Sequence, residues 1–139
     1  MRNSKPILLV DDDRVDAMAL ERALKDVKVT NQLVHAIDGK DALQYLRSEG
    51  NEKPCIIFLD SNMPKMNSIE FLRIIKADEV LKKIPVVALT TSKNEEDVVQ
   101  AFELSVAGYI IKVAEYKKFE EIVRTIDLYW TLSELPNGS

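Results

Sequence analysis

The sequence predicts an α/β fold in which a five-stranded parallel sheet is covered by helices on both faces. Two observations carry that prediction. Short, β-rich apolar runs alternate with longer amphipathic segments, five pairs in all, which is the pattern of a parallel sheet joined by helical crossovers. Most of the runs are apolar without alternation, so their strands are buried on both faces rather than on one. No internal repeat and no Gly, Ser or Pro-rich linker divides the chain, so the five pairs belong to one sheet.

The first strand is Ile7 to Val10, followed by a helix whose apolar stripe is Ala17, Leu20, Leu24 and Val27. Asp13 sits three positions before Asp16, an N-terminal cap with an acid able to reach back. The second strand is Gln32 to Ile37, and Asp38 with Asp41 gives a weaker version of the same cap. The third strand is Ile56 to Leu59, with Asn67 and Glu70 marking the helix after it. Val86 to Leu89 form the fourth strand, and Ser92 with Glu95 mark the next helix start. The fifth strand is Tyr109 to Ile111, and Phe119, Ile122, Val123, Ile126 and Trp130 recur at helical spacing in the last segment. This is a doubly wound, flavodoxin-like arrangement of five strand and helix pairs.

Composition narrows the function classes. A chain of 139 residues, 46% hydrophobic and 30% charged, can bury one core without staples and is neither disordered nor fibrous. Nineteen basic against 23 acidic residues give a net charge of -4, a weak field that repels a phosphate backbone, so nucleic acid is not an expected partner. The single cysteine, Cys55, cannot form an internal disulfide and stands where a small buried hydrophobe is expected, which fits a reducing cytoplasmic setting. The apolar stretch at Ile7 is too short for a signal peptide, and no segment approaches membrane-spanning length, so a membrane is not expected either.

In a doubly wound sheet, ligands bind beyond the carboxyl ends of the strands. Asp11, Asp12 and Asp13 follow the first strand, Asp60 the third, Thr90 and Thr91 the fourth, and Lys112 the fifth. Singly, each has a bland explanation: Asp13 a helix cap, Thr90 a strand-end hydroxyl, Lys112 a solvated amine. Together they matter, because carboxylates gathered at one sheet end repel by about 4 kcal/mol per close pair at an effective dielectric near 20. Oxygen ligands without neighbouring His or Cys suit a hard cation, and Mg²⁺ works with one or two carboxylates, retained waters and phosphate oxygens. With Asp11, Asp12 and Asp60 ionised, a divalent cation and Lys112 bring the local charge to about zero, which prepares the site for a phosphoryl group. A carboxylate can then act as nucleophile. The only histidine, His35, falls among apolar residues of the second strand, where packing or hydrogen bonding is expected and no catalytic role is assigned.

Leu9-Val10-Asp11-Asp12, Leu59-Asp60-Ser61-Asn62-Met63-Pro64, Thr90 and Gly108-Tyr109-Ile110-Ile111-Lys112 resemble, in order and spacing, the motifs of response-regulator receiver domains. The resemblance covers about residues 6 to 130 and, in general form, is to chemotaxis-regulator-like receivers. It implies that Asp60 is the phosphoacceptor for a sensor histidine kinase. It further implies that Asp12 and Asp60 ligate Mg²⁺ directly, that Asn62 adds its backbone carbonyl and that Asp11 holds metal-bound water. Thr90 and Lys112 would contact the phosphoryl oxygens. Tyr109 matches the switch aromatic that turns inward as the Thr90 hydroxyl moves, its bland alternative being edge packing. The segment from Phe119 through Trp130 to Leu135-Pro136 is similar to stand-alone receivers that work beside phytochrome-type kinases. On this reading residues 1–139 form one receiver domain, with a core at about 6–130 and a C-terminal helix extension. Output would pass to an unidentified downstream protein by direct contact, since no output domain follows. Apolar Tyr129 and Trp130, at the far end of the last segment past Ile126, make a homodimer one expectation, with covering of the sheet's end as the other.

Three features depart from the family pattern: Asn67-Ser68 replaces Asp-Gly, Thr91 is bulkier than the common alanine, and Val113 replaces proline. Without proline a cis bond costs about 2.5 to 4 kcal/mol, so the Lys112-Val113 peptide is expected to be trans. Two other classes compete. A haloacid-dehalogenase-like phosphatase shares the aspartyl nucleophile and Mg²⁺ but needs a second acid where Asn62 stands. A phosphorylation-inert binding module would keep the fold and lose the chemistry, yet each acidic, hydroxyl and amine position is filled.

Overall fold

The computed structural model describes residues 5–60, 68–90, 108–111 and 116–132. Five parallel strands pair in the order β2-β1-β3-β4-β5: β1 is Ile7–Val10, β2 Leu33–Ala36, β3 Ile56–Asp60, β4 Val86–Thr90 and β5 Gly108–Ile111. Four helices are described, α1 at Arg14–Asp26, α2 at Gly39–Arg47, α3 at Ser68–Ala77 and α4 at Tyr116–Leu132, with a 3₁₀ turn at Leu81–Lys83. The expected parallel α/β sheet is therefore present. The expected helix after β4, with its Ser92 cap, and the Asn67 cap lie outside the described residues. So does the Lys112-Val113 peptide.

Period-two alternation sorts the strands onto two cores. Ile7 and Leu9 of β1, with Ile56 and Phe58 of β3, pack with Ala17, Leu20 and Leu24 of α1 and Val123 of α4. Leu8, Val10, Ile57 and Leu59 point the other way, onto Leu43 and Leu46 of α2 and Phe71, Leu72 and Ile75 of α3. β1 and β3 are fully buried, as their unbroken apolar runs predict. β2 lies at the edge and is only half-buried along Leu33 to His35.

The strand limits match the sequence expectation in β1 and differ in the other four: β2 starts one residue late, at Leu33, and β5 one residue early, because Val87 pairs with Gly108. β2 stops at Ala36 because the Ile37 N–H donates to Asp41 Oδ2 at 3.1 Å, which turns the chain into α2. β3 and β4 each run one residue longer, through Asp60 and Thr90, because the ladders continue to Asp60↔Leu89 and Thr90↔Ile111. The Asp13 and Asp38 caps form as expected: Asp13 Oδ1 accepts from Val15 N and Asp38 Oδ1 from Asp41 N, both at 2.8 Å. Cys55 is half-buried rather than buried. Burial still pushes its thiol pKa up, and Sγ faces the Lys5 carbonyl at 3.7 Å, so it is a protonated packing group.

The end of α1 carries one strained residue. Lys28 has φ 64, the left-handed region. Val29 N–H donates to Leu24 O at 2.8 Å and Lys28 N–H to Lys25 O at 3.0 Å, the paired bonds of a Schellman ending, a place where glycine is usual. Lys28→Gly should therefore stabilise the fold by roughly 0.5 to 1 kcal/mol, the left-handed strain less the chain entropy of glycine. Urea unfolding at constant slope checks this, and a lower midpoint would contradict it.

Candidate functional site

The site follows from strand register. Val10 pairs with Leu59, so Asp11 and Asp60, one step further on, leave the sheet on adjacent strands. Both continue the alternation phase of Leu9 and Phe58, toward the α1 side. Neighbouring strands lie about 4.8 Å apart, which brings the two carboxyl groups together. The Asp11, Asp12 and Asp60 carboxylates each offer an oxygen, and these oxygens all lie within 4.8 Å of one another. Asp11 is fully buried and Asp60 is 3% exposed, while Asp12 opens to solvent.

The loop carrying two of these acids is held from several directions. Asp11 N–H donates to the Ala36 carbonyl at 3.0 Å, and Asp13 N–H donates to Asp11 Oδ1 at 2.8 Å. His35 Nε2 lies 2.6 Å from the Asp11 carbonyl oxygen. Asp13 is then committed to capping α1, whose N-terminal dipole favours negative charge in this corner of the molecule.

Among the described residues the donor set is oxygen alone. His35 spends Nε2 on a carbonyl, and Cys55 lies at the opposite end of β3, so neither adds a soft ligand. Three clustered carboxylates, two of them buried, fit a hard divalent cation. The geometry brings Asp11, Asp12 and Asp60 together as expected. Thr90 ends β4, whose Leu89 pairs with Asp60, so its backbone is at the same end of the sheet. Tyr109 lies in β5 opposite Ala88, two residues before the strand's end. Asn62 and Lys112 lie outside the described residues. The contact missed from sequence is the one from His35. Its signal is the register Leu9↔His35, which requires knowing that β2 lies beside β1.

The sequence profile of the response regulator receiver domain matches residues 7–124. The chain belongs to this family of phosphoacceptor signalling domains in two-component systems and is not a conventional enzyme. The response regulator Rcp1 of Synechocystis sp. is 38% identical over 130 residues, covering 91% of this chain and 88% of Rcp1. The crystal structure of the phosphorylated cyanobacterial phytochrome response regulator RcpA matches with a TM-score of 0.88 at 38% identity, covering 96% of this chain and 99% of that one. The Mn²⁺-bound form of response regulator Rcp1 matches at 0.85 and 37% identity, covering 95% and 99%. None of these likenesses favours the phosphatase reading. Among the described residues, no helix is long and apolar enough to cross a membrane.

Proposed function

We propose that Asp60 is the phosphoryl acceptor of this receiver, working with Mg²⁺ bound by Asp12, Asp60 and the Asn62 carbonyl, with Asp11 holding a metal-bound water. The observation that carries the reading is the pairing of a buried Asp60 with Asp11 and Asp12, their oxygens within 4.8 Å. A bound divalent cation neutralises charge on the entering phosphoryl oxygens. An Asp60 carboxylate oxygen forms the new bond to phosphorus as the phosphorus to nitrogen bond of the donor histidine breaks, and the imidazole keeps the electron pair. Burial of Asp60 limits the water that could compete for the phosphoryl group. Thr90 and Lys112 then bind the phosphoryl oxygens, and Tyr109 turns inward as Thr90 moves.

The donor we assign is a phytochrome-type sensor histidine kinase, because RcpA is a phytochrome response regulator and shares 38% of its residues with this chain. The Mn²⁺ held by Rcp1 supports a divalent cation, and the retained-water chemistry of an all-oxygen site supports Mg²⁺ as the working ion. Residues 1–139 act as one receiver unit in the cytoplasm, and the state of Asp60 is read by a protein partner or by a second copy across the β5 and α4 side.

A small phosphodonor with Mg²⁺ should add one phosphoryl group to the wild type and none to Asp60→Asn, read by intact mass. Full labelling of Asp60→Asn would overturn the assignment. Calorimetry should show Mg²⁺ binding weakened by about tenfold or more in Asp12→Ala, a loss of roughly 1.4 kcal/mol. Equal affinity in the two proteins would remove Asp12 from the cation site.

A further inference from the structure

We propose that His35 is a positioning residue for the acidic site, holding the peptide group that joins Asp11 to Asp12. The inference rests on the reading of these acids as a cation-binding site and adds to it a residue that touches neither cation nor phosphoryl group.

The geometry begins with β2 at the sheet edge. Ile7↔Leu33 and Leu9↔His35 place His35 in the alternation phase that leads along β1 to Asp11. Its Nε2 reaches the Asp11 carbonyl oxygen at 2.6 Å. A carbonyl oxygen only accepts, so the imidazole proton is on Nε2, and the ring acts as donor. That carbonyl belongs to the peptide unit between Asp11 and Asp12, so its orientation sets where the Asp12 side chain departs as well as where the Asp11 backbone ends.

The bond also closes a set. Asp11 N–H is held by the Ala36 carbonyl and Asp11 Oδ1 accepts from Asp13 N–H, so β2 grips the residue at both its amide and its carbonyl. β2 stops at Ala36, and the chain leaves for the α2 cap at Asp38. The imidazole therefore extends the edge strand's hold past the last residue of its ladder. A purely apolar side chain at position 35 would pack against Leu9 without fixing the peptide. Groups that orient metal ligands from behind typically change affinity by tenfold to a hundredfold when removed.

The test compares three variants by Mg²⁺ calorimetry, with Asp12→Ala as the control for the cation site. Glutamine places an amide donor close to where Nε2 stands, whereas asparagine places it short and leucine has none. His35→Gln should bind Mg²⁺ within about threefold of wild type, while His35→Asn and His35→Leu bind about tenfold or more weakly. Melting of the metal-free proteins should not follow that ranking. Nitrogen NMR of the metal-free wild type should show a proton on Nε2, a readout that does not depend on any variant folding. Wild-type affinity in His35→Leu and His35→Asn, with Asp12→Ala weakened, would overturn the positioning role and leave the cation site standing. Loss in all three variants in proportion to their melting temperatures would reduce His35 to packing and overturn it too. An Nε2 without a proton would do the same. If Asp12→Ala also binds like wild type, the cation reading itself falls and this inference with it.

Discussion

Parallel pairing of β1 with β3 in the register Val10↔Leu59 brings Asp11 and Asp60 out of the sheet on neighbouring strands, and everything at the site depends on it. A slip of one residue would send one of the two acids to the opposite face. The register is held by the two cores, since alternate residues of both strands are committed to packing on opposite sides of the sheet. The stability of the apolar interior thus becomes the accuracy of the carboxylate geometry. Two carboxylates buried side by side are costly to ionise, several kcal/mol per ion in effective terms, and a bound cation would offset that cost.

The surrounding structure lowers the cost without removing it. α1 starts at Arg14, directly after the acidic loop, and its N-terminal dipole favours negative charge there. Asp13, third in the acidic run, is withdrawn from the cluster by its capping duty. That leaves Asp11, Asp12 and Asp60 as the charge-bearing set. The edge strand contributes from the other side, through the Ala36 carbonyl and the His35 ring. An acidic loop held this way would take up a cation with little reorganisation, a condition for acting quickly on a phosphodonor.

Much of this is legible in the chain itself. The runs at Ile7, Ile56 and Val86 are too apolar to be anything but doubly buried strands, and Asp13 and Asp38 announce helix starts by residue type and spacing. The acids at strand ends were visible for the same reason. Neighbour relations were not. Nothing in the local pattern of Leu33 to Ala36 says that it lies beside β1, so the contact between His35 and Asp11 could be anticipated only as a hydrogen bond without a partner. The end of β2 was also hidden, because Ile37 reads as strand and is claimed instead by the Asp41 carboxylate, a competition between two local hydrogen-bonding choices. Lys28 shows a third limit: a lysine gives no sign of a left-handed turn, and the packing of Leu24 and Val29 into one core imposes it.

The central claim is that repulsion among Asp11, Asp12 and Asp60 is the quantity a divalent cation relieves, and unfolding free energies measure it directly. The wild type should gain stability with Mg²⁺ as ligand linkage requires. Metal-free Asp60→Asn should be more stable than metal-free wild type by roughly 1 kcal/mol or more, and should gain less from Mg²⁺. A wild type indifferent to Mg²⁺, together with an Asp60→Asn protein less stable than wild type, would contradict the account.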